Sequence, residues 1–139
     1  MTVNPVYIDQ FVGPLIGGAD SEEEIGKFAS FNSNNENEVK QLAKDVLLPA
    51  FEKRIKPFKV EMKNSLAYYL KYNKVDFESI IDSLLLPIET PKDPLLFFHW
   101  LWEVFFEGEH YDFILKENVI EEFEVEAPLN LMKRYKKNS

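Results

Sequence analysis

The chain predicts an all-α fold, a mainly helical bundle of about five to six helices, on three observations. Apolar residues from Val39 to Leu70 recur at i, i+3, i+4 spacing, as helices with one buried face require. Capping residues stand at Asp76 and Asp93, the second followed by Pro94, which suits a first helical position. Ten of the twelve residues from Leu95 to Phe106 are apolar, so this segment reads as a helix at the centre of the bundle. A short β element is expected near Phe123–Ala127, because Glu122 to Ala127 alternates strictly.

In chain order, Val6, Ile8, Phe11, Leu15 and Ile16 suit either a first short helix or an extended segment, broken by Gly17-Gly18. Residues 1–19 are expected as a loose N-terminal arm. Ser21 and Glu24 form a capping box that opens a short helix bearing Ile25, Phe28 and Ala29. Asn32 to Asn35 is a polar loop. From Glu38 the stripe Val39, Leu42, Ala43, Val46, Leu47, Ala50 and Phe51 continues through Ile55, Phe58, Met62, Leu66, Tyr69 and Leu70. Pro49 and Pro57 interrupt it, each costing about 3 kcal/mol in a helix interior. The stripe keeps phase across both, which predicts a kinked long helix or two nearly continuous ones. Asp76 opens a helix through Phe77, Ile80, Ile81, Leu84 and Leu85, closed by Pro87. The helix opened by Asp93 should run to Glu107 and stop at Gly108. Residues 119–127 satisfy a strand and a helix opened by Asn118 equally. Leu129, Leu131, Met132 and Tyr135 lead into a basic tail, 133–139, whose lysines suit a helix C-terminus.

At 139 residues, 45% hydrophobic and 14% aromatic, the chain can bury one core, and 1–139 is read as a single domain. Twelve Phe, six Tyr and two Trp make aromatic burial its main source of stability. The absence of cysteine excludes disulfides, thiol catalysis and thiolate metal sites, and fits a cytoplasmic protein. Met1 to Gln10 shows no basic region, apolar core and cleavage site, so no signal peptide is expected. The longest apolar run falls short of the ~18–20 residues that span a bilayer, and no membrane partner is expected.

Net charge is −8, and it comes in blocks: −6 over residues 1–38, +6 over 39–75, −12 over 76–126 and +4 from Ala127 onward. The overall sign disfavours nucleic acid, whose phosphates require a basic surface. Glu103, Glu107, Glu109, Asp112, Glu117, Glu121, Glu122, Glu124 and Glu126 are opposed in sequence by Lys116 alone. Solvated helix faces usually mix signs, so this stretch needs an opposing basic surface. That surface is either internal, the 39–75 block, or an external protein partner. For the external case, Tyr111, Phe113 and Phe123 would serve as aromatic anchors among the carboxylates.

Catalytic constellations are weak. Glu107 and His110 have the E-x-x-H spacing of carboxylate-bridged metal sites, but a second such motif is missing and Gly108 should end the helix. His99, at i, i+4 from Glu103, reads as a buried or half-buried histidine paired with it rather than as part of a ligand face. Ser79 and Ser83 lack a nucleophile elbow, and the five glycines form no phosphate-cradling pattern. Tyr68, Tyr69 and Tyr72 beside Lys71 and Lys74 read as packing rather than a base-stacking patch. No catalytic, cofactor-binding or metal-ligating residue is assigned, no cofactor is expected, and the chain is not read as an enzyme.

This profile (one small acidic domain, cysteine-free, Asn- and Lys-rich, aromatic) resembles the small immunity proteins of bacterial toxin–immunity pairs, including those of contact-dependent growth inhibition. The resemblance spans the whole chain and is one of character, resting on no motif, so it transfers no residue roles. It implies a cytoplasmic inhibitor that binds one cognate toxin domain, often a basic nuclease, and blocks its active site. A monomer is expected for that role. Two readings stay beside it: a small acidic adaptor or secretion chaperone acting as a dimer, with Leu95–Phe106 partly exposed as a groove or dimer seam, and an enzyme dependent on His99 or His110.

Overall fold

The computed structural model describes residues 1–15, 30–72 and 75–138. Gly17-Gly18, the capping box at Ser21 and Glu24, and the stripe Ile25, Phe28 and Ala29 lie outside them. The fold is mainly helical, with one two-stranded parallel sheet. Strand β1, Thr2–Val3, leads into α1, Val6–Asp9, which tightens into a 3-10 segment, Gln10–Leu15. Residues 1–15 belong to the core, where a loose arm was one expectation. Val3, Ile8 and Val12 are wholly buried, and Tyr7, Phe11 and Leu15 nearly so. Seven apolar residues in thirteen positions, Val3 to Leu15, are too much surface to leave in water.

Helix α2, Glu36–Leu42, is capped by Asn35, whose side chain accepts from the Glu38 amide. It passes through a π-helical turn, Ala43–Leu47, into α3, Leu48–Glu52. Pro49 explains that turn. Its ring would crowd the Asp45 carbonyl of a regular helix, and the wider turn, closed by Leu48 N–H to Ala43 C=O, makes room. At Pro57 the outcome differs: the chain breaks at residues 53–55 and restarts as α4, Lys56–Tyr72, with Pro57 in its first turn. There a missing amide costs nothing, because first-turn amides have no partner within the helix.

Helix α4 is the axis of the molecule. Phe58, Met62, Ser65, Leu66, Ala67, Tyr68, Tyr69 and Leu70 are all buried on it, and α1, β1, α6 and α7 pack around it. Helix α5, Phe77–Leu84, begins at Asp76, whose carboxylate accepts from the Glu78 and Ser79 amides. It ends one residue before Leu85, which takes a left-handed conformation (φ 50°). Helix α6, Pro94–Phe105, is capped by Asp93 and is central as expected: Phe97, Phe98, Trp100, Leu101, Trp102 and Phe105 are buried. It stops two residues before Glu107, and Gly108 (φ 78°) turns the chain so that the Glu109 amide reaches the Phe106 carbonyl. Phe11, Phe51, Phe105 and Phe106 then meet edge to face, with centroids 5.1 to 5.6 Å apart for the three closest pairs.

Past α6 the chain makes 3-10 turns at Tyr111–Phe113 and Lys116–Asn118 and enters β2, Ile120–Glu121. It pairs parallel with β1, Thr2 opposite Ile120 and Val3 opposite Glu121. The β element therefore lies just upstream of Phe123–Ala127. Residues 122–124 are neither strand nor helix, and α7, Ala127–Asn138, starts only after them. Helix there would set Glu117 over Glu121 and Glu122 over Glu126 at i, i+4, which like charges oppose. A longer strand would have no partner, since β1 ends at Val3.

Candidate protein-binding surface

The acidic stretch divides in two. Its first part, from Glu103 to Asp112, lies against the basic block. Lys40 of α2 pairs with Glu103 of α6 and also reaches Glu36 at 3.0 Å. His99 Nε2 lies 3.1 Å from Glu103, so the i, i+4 pair read from the sequence forms, half-buried. The Lys40 hydrogen bond holds the Glu103 carboxyl below the usual range, and Glu103 in turn raises Lys40. Lys63 of α4 sits 2.6 Å from Glu109 and over the rings of Phe106 and Phe113. Trp102 Nε1–H donates to the Glu109 carbonyl at 2.8 Å, fixing the turn that Gly108 makes. Lys71 donates to the carbonyls of Asp112 and Ile114, at 3.0 and 2.6 Å. Asp112 itself faces exposed His110 at 3.5 Å. Of these four acids, Glu107 alone has no lysine or histidine partner among the described residues.

The second part behaves differently. Among the described residues, Glu117, Glu122, Glu124 and Glu126 form no ion pair. Glu121 accepts from the Tyr69 hydroxyl at 3.3 Å, and Glu124 from the Asn130 side chain at 3.1 Å. Burial, and after it the charge of Glu122, push the Glu61 carboxyl of α4 upward, so the anionic field extends onto the neighbouring helix. Set among these carboxylates are Ile120, Phe123 and Val125, exposed by 65%, 68% and 77%.

Asn4 fixes the course of this edge. It is almost fully buried; its amide donates to Ser65 Oγ on α4 (3.1 Å) and its side chain donates to the Glu124 carbonyl (2.9 Å). The same side chain accepts from the Val6 amide at 3.0 Å. One asparagine thus ties the first strand, the axial helix and the acidic edge together.

Of the expected anchors, Phe123 stands out in solvent. Tyr111 does not: it is half-buried, edge-on to Trp102 at 5.6 Å and to His99 at 5.9 Å. Phe113 lies under the Lys63 ammonium. Glu107 and His110 do not share a helix face, because α6 has already ended. Ser79 and Ser83 line a cleft that neither histidine enters. Among the described residues no group of three or more His, Asp or Glu is placed to hold a metal ion, and no helix is long and apolar enough to cross a membrane.

That cleft, about 310 Å³, is the feature the sequence reading missed. It opens between α1, α5 and the run after β2, with Asp9, Ser79, Ile80, Ser83, Phe123 and Val125 among its walls. Burial raises the Asp9 carboxyl to about 6. One signal for it was present: Asp9 is the only acid in the apolar run from Val3 to Leu15. Comparison with known proteins finds no family model, no curated protein and no solved structure that matches the chain.

Proposed function

We propose that the chain is an inhibitory binding protein, of the immunity type, that engages one basic protein partner through residues 117–126. The partner in this reading is a toxin domain, a nuclease being the chemistry best matched, and the setting is the bacterial cytoplasm. One observation carries the proposal: carboxylates at Glu117, Glu122, Glu124 and Glu126, which form no ion pair among the described residues, flank outward-facing Ile120, Phe123 and Val125. Carboxylates steer a cationic partner and can occupy the groove where phosphates would lie. Exposed apolar side chains at their centre supply the desolvated contacts that make a complex last.

The adaptor or chaperone reading needs Leu95–Phe106 partly exposed as a groove or dimer seam, whereas Phe97, Phe98, Trp100, Leu101, Trp102 and Phe105 of that helix are buried. An enzyme reading finds no support in the placement of His99, paired with Glu103, or of His110, which faces solvent beside Asp112.

A tagged pull-down from source-cell lysate at low and high salt tests the proposal, with the adjacent gene product co-expressed. One stoichiometric basic partner, released by salt and inactive in the complex, is the expected result. Recovery of no partner, or of many salt-insensitive clients, would overturn it.

A further inference from the structure

We infer that the cleft between α1, α5 and the 123–125 run is an anchor pocket for one basic side chain, an alkyl guanidinium or ammonium group, of the protein partner. Asp9 binds the cationic head, and the apolar walls hold the stem. This rests on the reading of the 117–126 edge as a partner-binding face, and it names the chemistry that face selects.

No hydrogen bond or ion pair to Asp9 is found among the described residues, although its carboxylate lies in a cleft whose exposed lining is mostly apolar. At neutral pH it is still ionised, and a half-buried carboxylate without a counter-ion is an unfavourable arrangement that a cation would complete. The space agrees. At about 310 Å³ the cleft lies at the bottom of the range of small-molecule sites, right for one long side chain and small for a cofactor.

Its walls suit an alkyl stem: Val6, Ile80, Phe123 and Val125 are apolar, as basic side chains prefer along their methylenes. Ser79 and Ser83 add hydroxyl oxygens that can accept from the N–H donors Asp9 leaves unused. The surroundings repel anions: Glu122 and Glu124 flank Phe123, while Glu78 and Asp82 stand beside the two serines on α5. Charge and shape therefore select the same class of group.

The test uses n-butylguanidinium, a lone side-chain mimic, titrated into the ¹⁵N-labelled full chain, with n-butanol as the uncharged control. Saturable shifts centred on residues 9, 79, 83 and 123 are expected at millimolar concentrations, and none with butanol. Asp9→Asn should weaken the probe about tenfold. Ser83→Phe, at an exposed position whose new ring fills the cleft, should do the same and serves where Asp9→Asn perturbs the fold. A capped Leu-Arg-Leu peptide should bind about tenfold tighter than the probe through added contact with Phe123 and Val125. Shifts spread along 117–126 and equal in wild type and Asp9→Asn would overturn the pocket. A peptide no tighter than the probe would overturn a protein side chain as its source. The two readings fail separately. Partner capture unaffected by Asp9→Asn removes the anchor and leaves the acidic edge, whereas probe binding without any salt-released partner removes the edge and leaves the cleft.

Discussion

The two parts of the acidic stretch have similar composition and opposite fates. Between residues 103 and 112, the carboxylates and carbonyls meet Lys40, Lys63 and Lys71, three lysines of the basic block. Between 117 and 126, among the described residues, Glu117, Glu122, Glu124 and Glu126 meet no lysine or arginine, and Glu124 meets the Asn130 amide instead. Local charge density does not separate them. Position does: the first part follows α6 and its turn across α2 and α4, where the lysines are, while the second is carried by β1 to another side of the axial helix. A run of like charge in a sequence is therefore no evidence of an interface until the fold shows which carboxylates it has already answered.

The largest effect should come from Asn4, which holds the second part in place. Asn4→Ala removes two side-chain hydrogen bonds at a buried site and leaves the Glu124 carbonyl and the Val6 amide without their partner. A loss of about 2–3 kcal/mol in denaturant unfolding is expected. Faster hydrogen exchange should be confined to residues 1–6 and 120–126. A loss below about 0.5 kcal/mol would mean that the edge is held by the β1–β2 pair alone.

Next comes the contrast between the two parts. Glu122→Lys with Glu126→Lys should slow partner association about tenfold or more at low salt, with little change in melting temperature. Glu103→Gln with Glu109→Gln should do the reverse: a small destabilisation and an unchanged association rate. Equal effects on association from both pairs would erase the distinction drawn from the ion pairs.

What was legible in the sequence follows the same division. Helical elements were readable wherever capping and periodicity agreed, as at Asp76 and at Asp93-Pro94, because both act within a turn or two. The pairing of His99 with Glu103 was readable for the same reason. Pro49 and Pro57 were readable as interruptions, but not which would be absorbed in a π turn and which would end a helix. That depends on whether the packing of the next turn tolerates a widened backbone. Neither the burial of Tyr111 against Trp102 nor the cleft around Asp9 was readable, since α1, α5 and residues 123–125 are distant in sequence and only the fold brings them together.

Asp9 supplies a third acidic environment, half-buried in the cleft and without an ion pair among the described residues. The titratable groups on the elements around its cleft are Tyr7 on α1, Glu78 and Asp82 on α5, and Glu122 and Glu124 on the edge, and burial is the cause of its raised value. The folded-state value, about 6, lies above the ordinary 3.8, so protonation favours the folded chain. The cost of the charge is absent at low pH, accrues as pH rises through about 6, and is complete above it. Asp9→Asn should therefore stabilise the free protein by about 1 kcal/mol at pH 7, after allowance for solvent screening. The gain should vanish near pH 4, measured by urea unfolding of both proteins across that range. Destabilisation at pH 7 would point to a structural role for Asp9 in place of a binding one.

The smallest effect belongs to the pair that best represents the answered part, Lys40 with Glu103. Both side chains are substantially exposed, and such pairs contribute only a few tenths of a kcal/mol. Glu103 is held below the usual carboxylate range by Lys40, so the stability it adds is present above the ordinary carboxylate pKa and is lost as pH falls through the lowered one. Lys40→Met should weaken that acid-side dependence, leaving the His99 contribution, and cost less than about 0.5 kcal/mol at pH 7, with the difference shrinking as salt is added. Partner association should keep its full salt dependence in this variant. If Lys40→Met instead strengthened or accelerated binding, releasing Glu103 would have enlarged the working surface. The lysines of the basic block would then be competitors for the partner's position rather than a settled part of the fold.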